Sequence, residues 1–335
     1  MTILVTGAAG FIGSHVTRAL LARGEMVVGI DNLNAYYDPA LKHARLNWIG
    51  SSPDFVFETL DFADRGAIED LAKRHHIDAI VHLGAQAGVR HSLTHPHDYA
   101  DANLVGHLNL LELARRADVR HMVYASSSSV YGGNECLPFS VADRADHPVS
   151  LYAATKRAGE LMSESYAHLY RIPLTGLRFF TVYGPWGRPD MAMWIFTKAL
   201  FAGTPIQLFN HGEMERDFTF IDDIVEGLIG CLDRPPDDDG CEKAGGSRSP
   251  HALYNIGNHR PEKLGRLIEL LERETGRTAD LRPVEMQPGD VRATYADIAA
   301  FEELTGFRPA TSLEEGVARF VRWYADYHDH TLSEA

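Results

Sequence analysis

A doubly wound parallel α/β sheet is the architecture this sequence predicts, and three observations carry that expectation. The chain opens on a β-branched run, Thr2-Ile3-Leu4-Val5-Thr6, that passes directly into the glycine turn Gly7-Ala8-Ala9-Gly10-Phe11-Ile12-Gly13. A second apolar run, Met26-Val27-Val28-Gly29-Ile30, ends in the acid Asp31. From there to about residue 180, apolar runs and helical stretches alternate, the pattern of a parallel sheet covered on both faces.

The first strand and its turn read as a Rossmann-type dinucleotide cradle. Gly7 permits the turn, Gly10 lets the backbone approach a pyrophosphate, and Gly13 lets the next helix, expected over 12–23, pack on the strand. The free N–H groups at that helix start, around Ala9, Phe11 and Ile12, and the helix dipole then receive the anion. Asp31, with Asn32 beside it, is placed for the adenosine ribose hydroxyls. A carboxylate there repels a 2′-phosphate, and no basic residue follows until Lys42, so NAD is expected rather than NADP.

The remaining elements follow in order. Phe55-Val56-Phe57 is a third strand, followed by a helix near 65–75; Asp78 to Leu83 is a fourth, followed by a helix near 98–117. His121 to Ala125 is a fifth, a helix spans about 151–170, and Pro173 to Phe179 is a sixth strand. Residues 1–180 therefore form the NAD-binding domain. Residues 181–330 form mainly a smaller, interleaved α/β lobe, with short strands at 206–209 and 253–256 and helices near 191–202, 221–233, 262–275 and 313–327. A segment of roughly 210–260 is expected to return to the first domain. Residues 235–250 have loop composition and read as a mobile surface excursion with a solvated acidic triplet, Asp237-Asp238-Asp239.

Composition narrows the functional classes. The 335 residues are 45% apolar, enough for a sizeable core, and no run approaches the ~20 apolar residues of a membrane span. A formal net charge of −14 argues against non-specific nucleic-acid binding. Cys136, Cys231 and Cys241 lack metal-ligand spacing and cannot all pair, and the first strand begins at residue 2, leaving no room for a signal peptide. Both observations lead to the expectation of a cytoplasmic protein. Seventeen histidines include His91, His95 and His97, but Pro96 keeps these off one helical face, so no metal site is expected.

In such sheets ligands collect at the carboxyl ends of the strands. Asp61 and Phe62 follow the third strand, and Leu83-Gly84-Ala85-Gln86 follows the fourth, lining the cofactor. The serine run Ser126 to Ser129 follows the fifth. Tyr152 and Lys156 lie one helical turn apart, on one face. A phenol near its ordinary pKa of ~10 is a poor base at neutral pH, and a nearby ammonium favours the phenolate. Tyr152 is therefore the expected base, Lys156 its activating cation and a hold on the nicotinamide ribose, and Ser127 the hydroxyl that orients the reacting oxygen.

Gly7-x-x-Gly10-x-x-Gly13, Ser126-Ser127-x-x-Val130-Tyr131-Gly132, Tyr152-x-x-x-Lys156, Arg178-Phe179-Phe180-x-Val182-Tyr183-Gly184-Pro185 and Arg216-Asp217-Phe218 together resemble the extended short-chain dehydrogenase/reductase family of nucleotide-sugar epimerases, over essentially the whole chain. Three longer strings, Asp31 to Asp38, Gly184 to Ala192 and Met286 to Val291, resemble members that act on UDP-glucuronate; Arg292, after the last, departs from the small or proline residue expected there.

The resemblance implies inversion at C4. Tyr152 removes the C4 hydroxyl proton as hydride passes to the nicotinamide, the 4-keto sugar turns over, and hydride returns to its other face. NAD is regenerated and stays bound. The C5 carboxylate of a 4-ketouronate must be held against loss of carbon dioxide, for which Ser128, Ser129, Thr181 and Arg188 are the candidates, with Arg90 beside them. Related decarboxylases and dehydratases carry an acid near Ser129, and this chain has none. For the UDP moiety the resemblance points to Arg216 at the phosphates, with Asn103, Gln207, Phe209 and Asp290 near sugar, base or ribose. A UDP-glucuronate decarboxylase, a 4-epimerase of a neutral UDP-sugar and a non-catalytic NAD-binding scaffold are the alternatives. A homodimer is expected through the helices near 98–117 and 151–170, presenting Leu104, Leu108, Leu111, Leu161, Met162 and Leu169.

Overall fold

The computed structural model describes residues 1–285 and 292–332. Strands β1 (Thr2–Thr6), β2 (Met26–Asp31), β3 (Phe55–Thr59), β4 (Ala79–His82), β5 (His121–Ser127) and β6 (Leu174–Phe179) lie side by side in the order 3-2-1-4-5-6, each pair parallel. The order reverses between β1 and β4, and the crevice beyond their carboxyl ends is where a dinucleotide binds in such sheets. Helices α1 (Phe11–Ala22), α2 (Pro39–Ile49), α3 (Arg65–Arg74), α4 (Pro96–Ala100), α5 (His107–Ala117) and α6 (Leu151–Tyr170) form the crossovers. Covered on both faces, the central strands are largely apolar; Ile3, Leu4 and Val5 are wholly buried.

The rest of the chain comprises β7 (Thr181–Tyr183), α7 (Ala192–Ala202), β8 (Ile206–Phe209), β9 (Glu215–Phe220), α8 (Ile221–Leu232), β10 (His251–Ile256), β11 (Pro261–Lys263), α9 (Leu264–Thr275), β12 (Leu281–Val284), β13 (Ala293–Thr294), α10 (Ala299–Thr305) and α11 (Leu313–Tyr327). β10 pairs with β6 as the seventh strand of the main sheet, and α8 packs on α1, so the chain returns to the first lobe before leaving it again. The smaller lobe joins β9 to β7, β11 and β13, pairs β8 with β12, and packs α9 against α7 and α11.

Three expectations are modified. Between α4 and α5, residues Asp101–Gly106 form a π turn rather than continuous α-helix. Such turns concentrate at functional sites, and this one carries Asn103, whose side chain binds the backbone of Gln86. Helix α2 was not anticipated, although Asp38 accepts from Ala40 N at 2.9 Å and Pro39 fills the first helical position, a start signal present in the sequence. The 235–250 segment is irregular and its acidic triplet exposed as expected, but two of the three acids are paired: Asp238 with Arg171 and Asp239 with Lys243.

Candidate active site

The glycine turn closes against the neighbouring strand so tightly that side chains are excluded. Gly7 has φ +69°, and a Cβ on it would lie 2.9 Å from Gly84 Cα; a Cβ on Gly13 would lie 2.0 Å from the Gly7 carbonyl oxygen. Helix α1 starts at Gly10 with no side-chain cap, leaving its first N–H groups for an anion. Gly7, Gly10, Phe11, Ile12 and Gly13 line a cavity of about 390 Å³ that continues past Asp31, Asn32, Asp61 and Phe62 on one side and Leu83, Ala85 and Gln86 on the other. A cradle that a Cβ would fill, an uncapped helix start and an acid at the end of β2 fit NAD. Ala9 does not line the cavity: it is buried, and its carbonyl accepts from Arg45 Nη1 at 3.2 Å.

Asp31 is not the lone acid read from the sequence. α2 folds Lys42 back so that its Nζ lies 3.2 Å from Asp31 Oδ1 and 3.1 Å from Asn34 Oδ1. Asp31 also accepts from Leu33 N at 2.8 Å, and Asp61 accepts from Asn32 Nδ2 at 3.0 Å. Lys42, set aside in the sequence as too far from Asp31, therefore lines the same cavity beside it, because the helix that returns it was not recognised.

Tyr152 stands in the first turn of α6, whose start is fixed by Ser150 accepting from Ala153 N at 3.1 Å. Burial holds the phenol above its ordinary pKa, while its hydrogen bond with Ser127 and the charge of Arg188 oppose that rise and Asp190 adds to it. Lys156 lies on the same helix and lines the same cavity, but its Nζ donates to the Ala125 carbonyl at 2.9 Å. Burial lowers Lys156 to about 8, against the pull of Glu160. In this structure the Lys156 ammonium is bonded to the strand end, and the Arg188 guanidinium is a second cation that favours the phenolate of Tyr152.

Glu160, one further turn along α6, was also missed. It accepts from Ser126 Oγ at 2.6 Å and pairs with Arg178 of β6 through two bonds of 2.8 and 2.9 Å, all buried. The strand end carrying Ala125, Ser126 and Ser127 is therefore pinned to the helix carrying Tyr152 and Lys156. Its spacing, four residues after Lys156, was the available signal.

Ser127, Ser128, Ser129, Thr181 and Arg188 all line the main cavity. Ser128, Ser129 and Thr181 also border an adjoining cavity of about 150 Å³ that reaches Arg216, the residue expected at the phosphates. Arg216 Nη1 donates to the carbonyls of Glu215 and Arg292. Other expected contacts are corrected. Asn103 is buried, bonded to Gln86 and to Thr155 Oγ1 at 3.0 Å, and so supports the cavity wall from behind. Arg90 is exposed, with its guanidinium 4.8 Å from the Phe209 ring centre; neither residue lines these cavities. Gln207 faces solvent on β8, where strand alternation turns it away from the buried Ile206 and Leu208. Asp290 and the Met286–Val291 string lie outside the described residues.

The pattern of the NAD dependent epimerase/dehydratase family matches residues 3–257, and the chain belongs to that family. Over 97% of both chains it is 48% identical to a probable UDP-glucuronate 4-epimerase of Rhizobium meliloti. It is 46% identical to UDP-glucuronate 4-epimerase 1 of Arabidopsis thaliana, across 98% of this chain and 78% of that one. The crystal structure of UDP-glucuronic acid 4-epimerase from Bacillus cereus in complex with UDP-glucuronic acid and NAD superposes with a TM-score of 0.86 at 32% identity, covering 98% of this chain and all of that one.

Proposed function

We propose that this protein is an NAD-dependent epimerase that inverts C4 of UDP-glucuronate to give UDP-galacturonate. The observation that carries the reading is the convergence of Tyr152, Ser127 and Arg188 on one cavity that also receives the glycine turn. Its support from relatives is that a chain 46% identical carries the UDP-glucuronate 4-epimerase name and one 48% identical carries it as a probable one.

In this reading Ser127 orients the sugar C4 oxygen and Tyr152 takes its proton. NAD, when bound, accepts hydride from C4 and returns it to the opposite face, leaving no net redox change. Lys156 fixes the strand end and offers its ammonium to the nicotinamide ribose. Ser128, Ser129 and Thr181 supply hydroxyls, and Arg188 the cation, that keep the C5 carboxylate out of the orientation for C–C cleavage. Arg216 holds the diphosphate. The protein works in the cytoplasm as a homodimer, built on α5 and α6, whose Leu108, Leu161 and Leu169 are exposed; Leu111, also expected there, is wholly buried in the core.

Arg188→Ala tests the reading directly. Loss of a charge-assisted hydrogen bond, roughly 1.5–3 kcal/mol, should lower turnover of UDP-glucuronate far more than any residual action on UDP-glucose, and some intermediate should lose carbon dioxide. Equal losses on the two sugars contradict a carboxylate-reading role.

A further inference from the structure

One edge of Arg188 is already taken by a carboxylate of the protein itself. Nε donates to Asp190 Oδ1 at 3.0 Å and Nη2 to Asp190 Oδ2 at 2.5 Å, a bidentate pair. Asp190 is held in turn from the nucleotide-binding lobe: Tyr36, in the loop after β2, donates its hydroxyl to Oδ2 at 3.0 Å. Gly88 makes room for that phenol, since a Cβ there would come within 2.5 Å of the Tyr36 oxygen. Burial works against the Asp190 charge, yet Arg188 and Tyr36 bring its pKa below the ordinary value. Tyr36 is pushed up to about 12 by burial and by Asp190, so it remains a donor. Both Tyr36 and Arg188 line the cavity that holds Tyr152.

A site that grips a carboxylate gains nothing in affinity from an acid of its own. Turnover gives the reason. To invert C4 the keto sugar must present its other face, and the carboxylate on C5 travels with the ring, so it must leave its partner part-way through each cycle. A guanidinium offering both edges and its whole charge would fork the carboxylate through two charge-assisted hydrogen bonds and hold it fast. We propose that Asp190 is a positioning residue that occupies the Nε–Nη2 edge of Arg188 and offsets its charge, so that the uronate is held through the remaining edge and released when the keto sugar turns. Tyr36 keeps Asp190 in that position. The inference rests on the proposed reading that Arg188 meets the substrate carboxylate.

The test separates affinity from turnover. In the Tyr152→Phe holoenzyme, where chemistry is suppressed, calorimetry gives dissociation constants for UDP-glucuronate and UDP-glucose. Adding Asp190→Asn, which preserves shape and removes the charge, should tighten UDP-glucuronate on the order of tenfold by removing a like charge across one guanidinium, and leave UDP-glucose within about twofold. With Tyr152 intact, Asp190→Asn should lower KM and kcat for UDP-glucuronate together. Asp190→Ser gives a second variant of the same sign should the amide disturb the loop, with retained NAD and circular dichroism reporting the fold. Unchanged or weaker UDP-glucuronate binding in both variants overturns the inference. Arg188→Ala in the same background distinguishes the cause: a selective loss of UDP-glucuronate affinity leaves the reading of Arg188 standing and Asp190 alone refuted, whereas equal losses on both sugars refute the two together.

Discussion

At Tyr152 burial and hydrogen bonding compete. Burial keeps the proton on, while Ser127 and Arg188 favour its loss, so the phenol becomes a base only in a site whose neighbours are in place. Tyr152→Phe removes that base and should cut conversion by ~10²–10⁴-fold with substrate affinity largely intact; near-full activity in the variant would remove Tyr152 from the mechanism. Lys156 makes a pH-dependent prediction. Burial lowers it from 10.5 to about 8, so between those values the unfolded chain holds a proton that the folded chain has released. Stability then rises with pH across that window, and below about 8 the full penalty of burying the ammonium is felt. Lys156→Met should therefore gain stability over wild type near neutral pH, and the gain should shrink as pH rises through the window. Urea midpoints of the cofactor-free proteins measure this; a pH-independent difference contradicts it.

Helix α6 shows how an element sets the site. Ser150 caps it two residues before Tyr152, and Glu160 binds its second half to β5 and β6 through Ser126 and Arg178. Ser150→Ala should cost ~1 kcal/mol of stability, read by denaturant unfolding. It should also reduce kcat, because the turn that frays is the one carrying Tyr152; stability loss without a fall in kcat would show that the cap does not position the phenol. Helix α6 and the strands of the main sheet were legible in the sequence because period and punctuation agree along them. Helix α2 was not: its apolar positions are few, although Asp38-Pro39 marks its start, and missing it hid Lys42. The Asn103 error has a similar origin, since a helix read as regular gives no hint that a π turn sends the side chain behind Gln86. Among site residues, the glycine turn, Ser127, Tyr152, Lys156 and Arg188 were legible from local motifs. Glu160 and Arg45 act through partners far away in sequence, Asp190 is held by the distant Tyr36 although its guanidinium partner is two residues away, and Gln207 and Phe209 were misplaced because their setting is tertiary.

At the scale of the molecule, the two lobes meet where the chemistry is proposed. Arg45, wholly buried on α2, donates to the carbonyls of Ala9, Trp186 and Gly187 and to the Tyr37 hydroxyl, tying the glycine turn to the loop that carries Arg188. Among the described residues no helix is long and apolar enough to cross a membrane. Leu161 and Leu169, 56 and 63% exposed on α6, are the surface proposed for dimerisation. Light scattering at micromolar protein should give twice the chain mass of 37.2 kDa. Leu161→Glu should shift the protein toward monomer, since each buried leucine contributes about 1.5–3 kcal/mol; a monomeric wild type refutes the dimer.

Inversion at C4 with return of the same hydrogen is the central claim, and one measurement tests it most directly. UDP-glucuronate is incubated with the purified protein in deuterium oxide, and the product is followed by proton NMR and mass spectrometry. The account predicts UDP-galacturonate of unchanged mass apart from exchangeable positions, its C4 proton retained and its couplings changed to those of the inverted centre. Deuterium at C4, or a product that has lost carbon dioxide, would contradict it.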